Sequence, residues 1–374
     1  MASLEDLPNE ILWHIFNFLE PSFVLDVLSE VSLRFRYLIG DKTLWRQRLF
    51  SKWPGKYPIP PPDWAECCRE REEHWNAFHN WQQGGVRLVE LKEAHIAAVD
   101  ALRFIENGSF CVSGGRDHQL KVWKFDSEEL VLHKRFNKSH SAWIWSIEQL
   151  DKSTLVSGSF DQTVKTWDIE TEALLDTVTY PAAVLSLAQS NRLVACGTMG
   201  SKIHLQDQRA KSQTKCFEYH KNIVLTLAMD DEMIVSGSKD GTVAIFDLRA
   251  EKVANVQKLK GYPTAISHHR GQTWIGTSRG YVACLDTQTM AEPQVVIQKR
   301  ISDKHIRSVN YSWGSVLVAA GSDRLIVLEP TERLTSITRQ TIPGGITKAA
   351  MYNRTICAAG ASGELLFWVP ENDV

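Results

Sequence analysis

The stretch Val156-Ser157-Gly158-Ser159-Phe160-Asp161-Gln162-Thr163-Val164-Lys165-Thr166-Trp167-Asp168 reads as a short strand, a tight polar turn and a second strand ending in Trp-Asp. Close copies stand at Val112-Ser113-Gly114-Gly115-Arg116-Asp117, continuing to Trp123, and at Val235-Ser236-Gly237-Ser238-Lys239-Asp240, continuing to Phe246. Weaker copies centre on Gly197, Gly276, Gly321 and Gly360. The seven glycines are 44, 39, 40, 39, 45 and 39 residues apart. Self-similarity at that period, carrying Trp-Asp, predicts one four-stranded propeller blade per copy. Such a unit cannot bury its apolar faces alone, so the copies must close into a ring.

Composition narrows the partners. A net charge of −2 over 374 residues marks neither a nucleic-acid nor an anionic-membrane surface. No apolar run approaches the roughly 18 residues that span a bilayer. Glu5 and Asp6 precede the first apolar stretch, so a secretory leader is not expected. The seven cysteines are scattered without facing C-x-x-C pairs, as expected of reduced thiols in an intracellular protein, cytoplasmic or nuclear.

Residues 1–50 read as a small all-α unit. Asp6-Leu7-Pro8 opens a helix, since proline is tolerated in a first turn. Leu7, Ile11, Ile15 and Leu19 follow at fours with Leu12 and Phe16 beside them, and Pro21 is expected to end the helix. Further apolar stretches run from Phe23 to Val31, Leu33 to Ile39 and Leu44 to Phe50. So small a unit buries only part of this surface. It is either a bundle capping the ring or a docking module whose spare face belongs to another protein.

Residues 51–85 form a connector. Lys52 to Pro62 is proline-rich and cannot continue a helix. Asp63 then caps a helix to about Trp81, with Trp64, Cys68, Arg71, Trp75 and Phe78 in one stripe and Glu66, Arg69, Glu70, Glu72 and Glu73 on the charged side. Tryptophans in that stripe argue for packing on both neighbours, unlike a flexible tether. His74 and His79 lie five apart, off a shared face, and read as surface or boundary residues; no metal and no cofactor is expected.

The run Leu7-Pro8-Asn9-Glu10-Ile11-Leu12, then Val31-Ser32-Leu33-Arg34-Phe35-Arg36, then Leu44-Trp45 resembles an F-box, with Leu33 departing from the usual Lys or Arg. The ring repeats resemble WD40 repeats, and the order F-box, connector, ring is that of the F-box/WD-repeat family. The resemblance implies a seven-bladed WD40 β-propeller over 86–374 after an all-α F-box and helical connector. With six residues left after Trp368, strand Val86–Leu91 is expected to fill the open slot of the last blade.

The resemblance also implies roles. Leu7, Pro8, Ile11, Leu12 and Ile15, with Leu44 and Trp45, are the candidates for binding the Skp1 adaptor, and through it a cullin; Leu44 and Trp45 could equally close the bundle's own core. Within a blade, His, Ser, Asp and Trp form a buried hydrogen-bonded chain. His95, Ser113, Asp117 and Trp123 complete one, as do His140, Ser157, Asp161 and Trp167; His220, Ser236 and Asp240 have Phe246 instead of Trp. Recurrence makes these Ser/His/Asp sets structural and not catalytic.

Two positions per blade imply a face around the channel. They give Asp100, Trp145, Leu185, Leu225, Ile266, Arg307 and Thr347 from the inner strands. The turns give Arg116, Phe160, Met199, Lys239, Ser278, Ser322 and Ser362, with Trp143 and Ile223 alongside. The apolar members come from consecutive blades, while Arg116, Lys239 and Arg307 read as spread around the ring; a mainly apolar degron is expected. The function implied is the substrate-recognition subunit of an SCF-type (Skp1–cullin–F-box) ubiquitin ligase, non-catalytic, binding neither nucleic acid nor membrane. The alternative is a ligase-independent WD40 scaffold. G-x-x-x-x-G-K, H-E-x-x-H and G-x-S-x-G motifs are all missing.

Overall fold

The computed structural model describes residues 4–79, 81, 85–126, 129–136, 139–209, 214–288 and 292–370. Pro8 does not join the first helix. Its extended backbone (φ −55°, ψ 149°) makes it the N-cap of α1, Asn9–Phe16. Pro21 starts the next helix instead of ending the first, because a proline at N1 lacks only an N–H that has no partner there. That helix, α2, runs through Pro21–Phe23, a π-helical Val24–Leu28 and Ser29–Val31. The Ser32 hydroxyl accepts from Phe35 N at 3.2 Å to cap α3, Leu33–Ile39, and Asp41 accepts from Thr43 N at 2.8 Å to cap α4, Lys42–Lys52. Leu12, Trp13, Phe16, Phe35 and Trp45 fill the bundle interior, with the Trp13 and Trp45 rings edge to face at 5.2 Å.

The proline-rich segment crosses the ring's flank and is bonded to it. Lys56 O accepts from Glu332 N at 2.8 Å, Tyr57 donates its hydroxyl to Trp313 O at 3.2 Å, and Gln272 Nε2 donates to Ile59 O at 3.2 Å. Asp63 caps α5, Trp64–His79, by accepting from Ala65 N and Glu66 N at 3.0 and 3.1 Å. Two residues of α5 differ from the sequence reading. Glu72 leaves the charged outer side and is buried against Arg48, and His74 is a core residue hydrogen-bonded at 2.8 Å to the Ser315 hydroxyl. Helical spacing shows which residues share a face, not that a second domain covers the opposite one. Burial, with Arg71 and Arg354 nearby, holds His74 at about 3.

Strands β1–β28 form seven four-stranded antiparallel sheets among the described residues. The inner strands are β2 (Val99–Ile105), β6 (Ile144–Asp151), β10 (Val184–Ser190), β14 (Val224–Met229), β18 (Pro263–His269), β22 (Ile306–Tyr311) and β26 (Ile346–Tyr352). Each touches the next, and β26 touches β2, so the ring closes. The last sheet takes its outer strand from the other end of the ring: β1 (Val86–Leu91) pairs antiparallel with β28 (Leu365–Pro370), Leu88 opposite Trp368. Gly363 has φ +97°, and a Cβ there would collide with the His95 carbonyl oxygen at this junction.

Strand register corrects two repeats. Residues opposite the third position of each inner strand are Gly114, Gly158, Gly197, Gly237 and Gly276, then Ala319 and Ala359. Gly321 and Gly360 therefore stand two and one residues past the repeat position, which alanine holds in those two blades, while the step across the turn (Ala319 to Leu325, Ala359 to Leu365) matches that of Gly114 to Leu120.

The blade networks form. In blade one, Trp123 Nε1 donates to the Ser113 hydroxyl at 2.7 Å, Ser113 Oγ lies 2.7 Å from His95 Nε2, and His95 Nδ1 is 2.9 Å from Asp117. Blade two repeats this through Trp167, Ser157, His140 and Asp161 at 2.8, 2.7 and 2.9 Å. In blade four His220 is 2.8 Å from Ser236 and 3.3 Å from Asp240. There the Tyr219 hydroxyl lies 3.3 Å from Ser236 Oγ, and its ring stacks on Phe246 at 5.6 Å. Tyr219 thus puts a hydroxyl where the other two blades have an indole N–H. Burial pushes all three histidines down, so each is neutral and, with Nδ1–H directed at its carboxylate, accepts through Nε2.

Candidate protein-binding faces

A backbone hydrogen bond repeats around one end of the ring and fixes which residues face outward there. Arg116, Phe160, Met199, Lys239, Ser278 and Gly321 donate N–H to the carbonyls of Ala98, Trp143, Ala183, Ile223, Tyr262 and His305, at 2.7–2.9 Å. These bonds place Trp143 beside Phe160 and bring in Tyr262 and His305, which sequence reasoning missed. They also assign the sixth turn position to Gly321, where the sequence reading had Ser322. Ile266 is likewise replaced by Thr264, the residue after Pro263 in β18.

The seven inner strands each shift register, as at a β-bulge, between their first and third residues, which aims successive side chains into the channel. The mouth layer is Asp100, Trp145, Leu185, Leu225, Thr264, Arg307 and Thr347, lining a cavity of about 420 Å³. Below it, the bulge partners are Ala101, Ser146, Ser186, Thr226, Ala265, Ser308 and Lys348.

Aromatic residues gather over blade two. The Trp143 and Trp145 rings are nearly parallel at 6.5 Å, and Phe160 lies 5.6 and 6.1 Å from them. Arg116 places its guanidinium 4.5 Å over Trp143 while donating to Asp100 at 2.7 and 3.3 Å. Trp143, Phe160, Met199 and Tyr262 keep over a third of their surface exposed, as does Lys239, and Trp145 and Leu225 are half-buried. Leu185 is buried, so it forms channel wall and not contact surface.

The basic residues are less dispersed than the sequence suggested. Arg307 is pushed down by burial; Asp100 opposes the shift and Arg116 reinforces it, so these three share the mouth. Burial likewise lowers Lys348, opposed by Asp100 and Glu148. Only Lys239 stands apart.

The helical bundle has a second face. Leu12 and Trp45 are withdrawn from it: both are buried, and Trp45 donates its indole N–H to Ile39 O at 2.6 Å. Leu44 packs partly into the same core. Pro8 is exposed, Leu7 and Ile15 half-buried, and Ile11 is 47% exposed. Leu33 and Tyr37, one turn apart on α3, are 82% and 86% exposed and were not among the adaptor-contact candidates read from the sequence. Arg34 bonds α3 to the start of α1, to Leu7 O at 2.6 Å and Asn9 Oδ1 at 2.7 Å, so the two exposed sets are neighbours. Among the described residues no helix is long and apolar enough to cross a membrane.

Comparison with known proteins assigns both parts. The F-box-like model matches residues 4–51, and the WD domain, G-beta repeat model matches residues 87–124, 132–168 and 211–247. F-box/WD repeat-containing protein 9 of Homo sapiens is 29% identical over 382 residues, 98% of this chain and 82% of the relative. F-box/WD repeat-containing protein mec-15 of Caenorhabditis elegans is 25% identical over 86% of this chain and 83% of its own. A shorter likeness, 40% over 27% of this chain and 24% of the relative, is to ribosome biogenesis protein YTM1 of Meyerozyma guilliermondii. An F-box-like bundle joined to a seven-bladed WD ring, with likeness running over 98% of this chain, gives it the domain order of the F-box/WD repeat-containing proteins it is similar to.

Proposed function

We propose that the chain is the substrate-recognition subunit of an SCF-type ubiquitin ligase. The bundle binds Skp1, and through it a cullin, with Leu7, Pro8, Ile11, Ile15, Leu33 and Tyr37. The ring holds a protein substrate on the Trp143, Trp145 and Phe160 side of its channel, with Met199 and Leu225 continuing the apolar arc. The chain performs no chemistry; it holds two proteins at a set separation while ubiquitin transfer occurs on its partners.

The observation that carries this is the exposure of Leu33 and Tyr37 on a bundle whose own core and ring contacts are already complete. A bundle serving only to cap the ring would turn those residues inward, because exposed apolar patches of this kind mark interfaces. The scaffold alternative needs no adaptor. Co-purification of Ile11→Asp/Leu33→Asp with Skp1 separates the two: the adaptor reading expects binding to be lost with the melting curve unchanged, and retained Skp1 would sink it.

A further inference from the structure

We propose that the channel mouth takes the free α-carboxylate of a partner polypeptide's C-terminus, with the preceding residues lying on the aromatic ledge. This rests on the substrate face assigned above and names what that face selects. The starting observation is Lys348. At its register position the other six blades carry alanine, serine or threonine, and small side chains suit a layer that narrows the channel. A lysine there places an ammonium among small neighbours, and Asp100 and Glu148 offset only part of the cost of burying it.

The charges around it do not balance. Arg116 is committed to Asp100 at 2.7 Å, and Arg103 is committed to Glu148 at 2.6 Å. Arg307 and Lys348 remain without a carboxylate in ion-pair contact among the described residues; Arg307 spends Nε on Gly321 O at 2.7 Å. The mouth therefore carries surplus positive charge inside a low-dielectric wall, where an anion is attracted strongly.

Shape and chemistry select among anions. A cavity of about 420 Å³ is at the small end of ligand pockets, so it admits one chain end and not a segment that enters and returns. Phosphate is best held by converging guanidinium forks, and here the Arg116 fork is closed on Asp100. One ammonium below and one guanidinium edge beside suit a carboxylate. Trp145 shares the mouth layer with Arg307, so the side chains just before the terminus meet the Trp143, Trp145 and Phe160 rings.

The test uses the full chain on two arrays of the same random heptapeptides, one ending in free carboxylates and one in amides, with phosphoserine and internal Asp or Glu represented in both. Expected are binders on the free-acid array that weaken roughly ten- to a hundred-fold on amidation, the worth of a charged hydrogen bond, and equally with Lys348→Met. Arg307→Gln gives the same readout should Lys348→Met disturb the ring. Binding that survives amidation, follows phosphoserine or internal acids, or never depends on the carboxylate overturns the proposal. Carboxylate-dependent binding that ignores Trp145→Ala supports the carboxylate site and removes the aromatic ledge from the substrate face.

Discussion

Arg48 meets Glu72 through two parallel hydrogen bonds, Nε to Oε1 at 2.8 Å and Nη2 to Oε2 at 3.0 Å, in the seam between the bundle and α5. The same guanidinium reaches back to Phe16 O and Leu19 O at 2.9 and 2.7 Å. The preceding residue on α5, Arg71, points the other way, donating to Gly314 O at 2.9 Å and pairing with Glu329 at 3.0 Å. Consecutive side chains of one helix therefore grip both domains, which sets the distance between the two candidate faces.

Arg48→Met should be strongly destabilising. It leaves Glu72 with Lys52 at 2.9 Å and the weak Cys68 thiol donor at 3.6 Å, and strips the Phe16 and Leu19 carbonyls of a donor. Breaking one side of a buried pair costs about 3–5 kcal/mol. Chemical denaturation followed by tryptophan fluorescence checks this; a loss within about 1 kcal/mol, the range of exposed pairs, would contradict it.

Blade four offers a paired exchange. Tyr219→Phe removes the hydroxyl beside Ser236 and should cost about 1 kcal/mol. Adding Phe246→Trp to that variant supplies an indole N–H at the position Trp123 and Trp167 hold in their blades and should recover much of the loss. A double-mutant cycle that is simply additive would mean the hydroxyl does not stand in for the indole.

The ring was legible because its signal is repeated: a glycine near every fortieth residue, with His, Ser, Asp and Trp at fixed offsets, identifies a blade even where single members are lost. Legibility fell where the repeat was degraded. In blades six and seven alanines replace the glycine, so the nearest glycine misled the turn register, while Lys348 was missed because one position per inner strand was read and the layer below it was not. The bundle was legible in its order of elements but not in its facing. Leu12 and Ile11 are adjacent and equally apolar, and only the packed core tells that one is buried and the other exposed. Glu72 and His74 were misplaced for a related reason: their partners, Arg48 and Ser315, lie 24 and 241 residues away.

His74 should make the protein acid-labile. With its folded-state value held at about 3 against an ordinary 6.5, the unfolded chain binds the proton first. Stability is then full above about pH 6.5 and lost as pH falls from there toward 3, by at most about 1.4 kcal/mol per pH unit. His74→Phe removes the titrating group and keeps an aromatic ring against Phe78, 5.5 Å away. Its melting temperature should fall less between pH 6.5 and 4.5 than that of the unaltered protein. Parallel curves would show that His74 is not the group responsible.

Ring closure depends on β1, because β28 otherwise presents its whole outer edge. Val86 to Leu91 supply six register pairs to that edge, and the strand is continuous with the connector that α5 anchors. Deleting residues 86–91 should abolish the single cooperative transition, since the last blade would lose its outer strand and the ring its seam. Gly363→Ala probes the same seam more gently: the added Cβ meets the His95 carbonyl while φ stays at +97°, a cost of about 1–3 kcal/mol. The two variants separate closure by strand exchange from local fit. If the deletion melts as one sharp transition at the original temperature, the seven sheets hold together without the borrowed strand; if only Gly363→Ala is silent, the blade seven to blade one turn relaxes while the strand exchange still closes the ring.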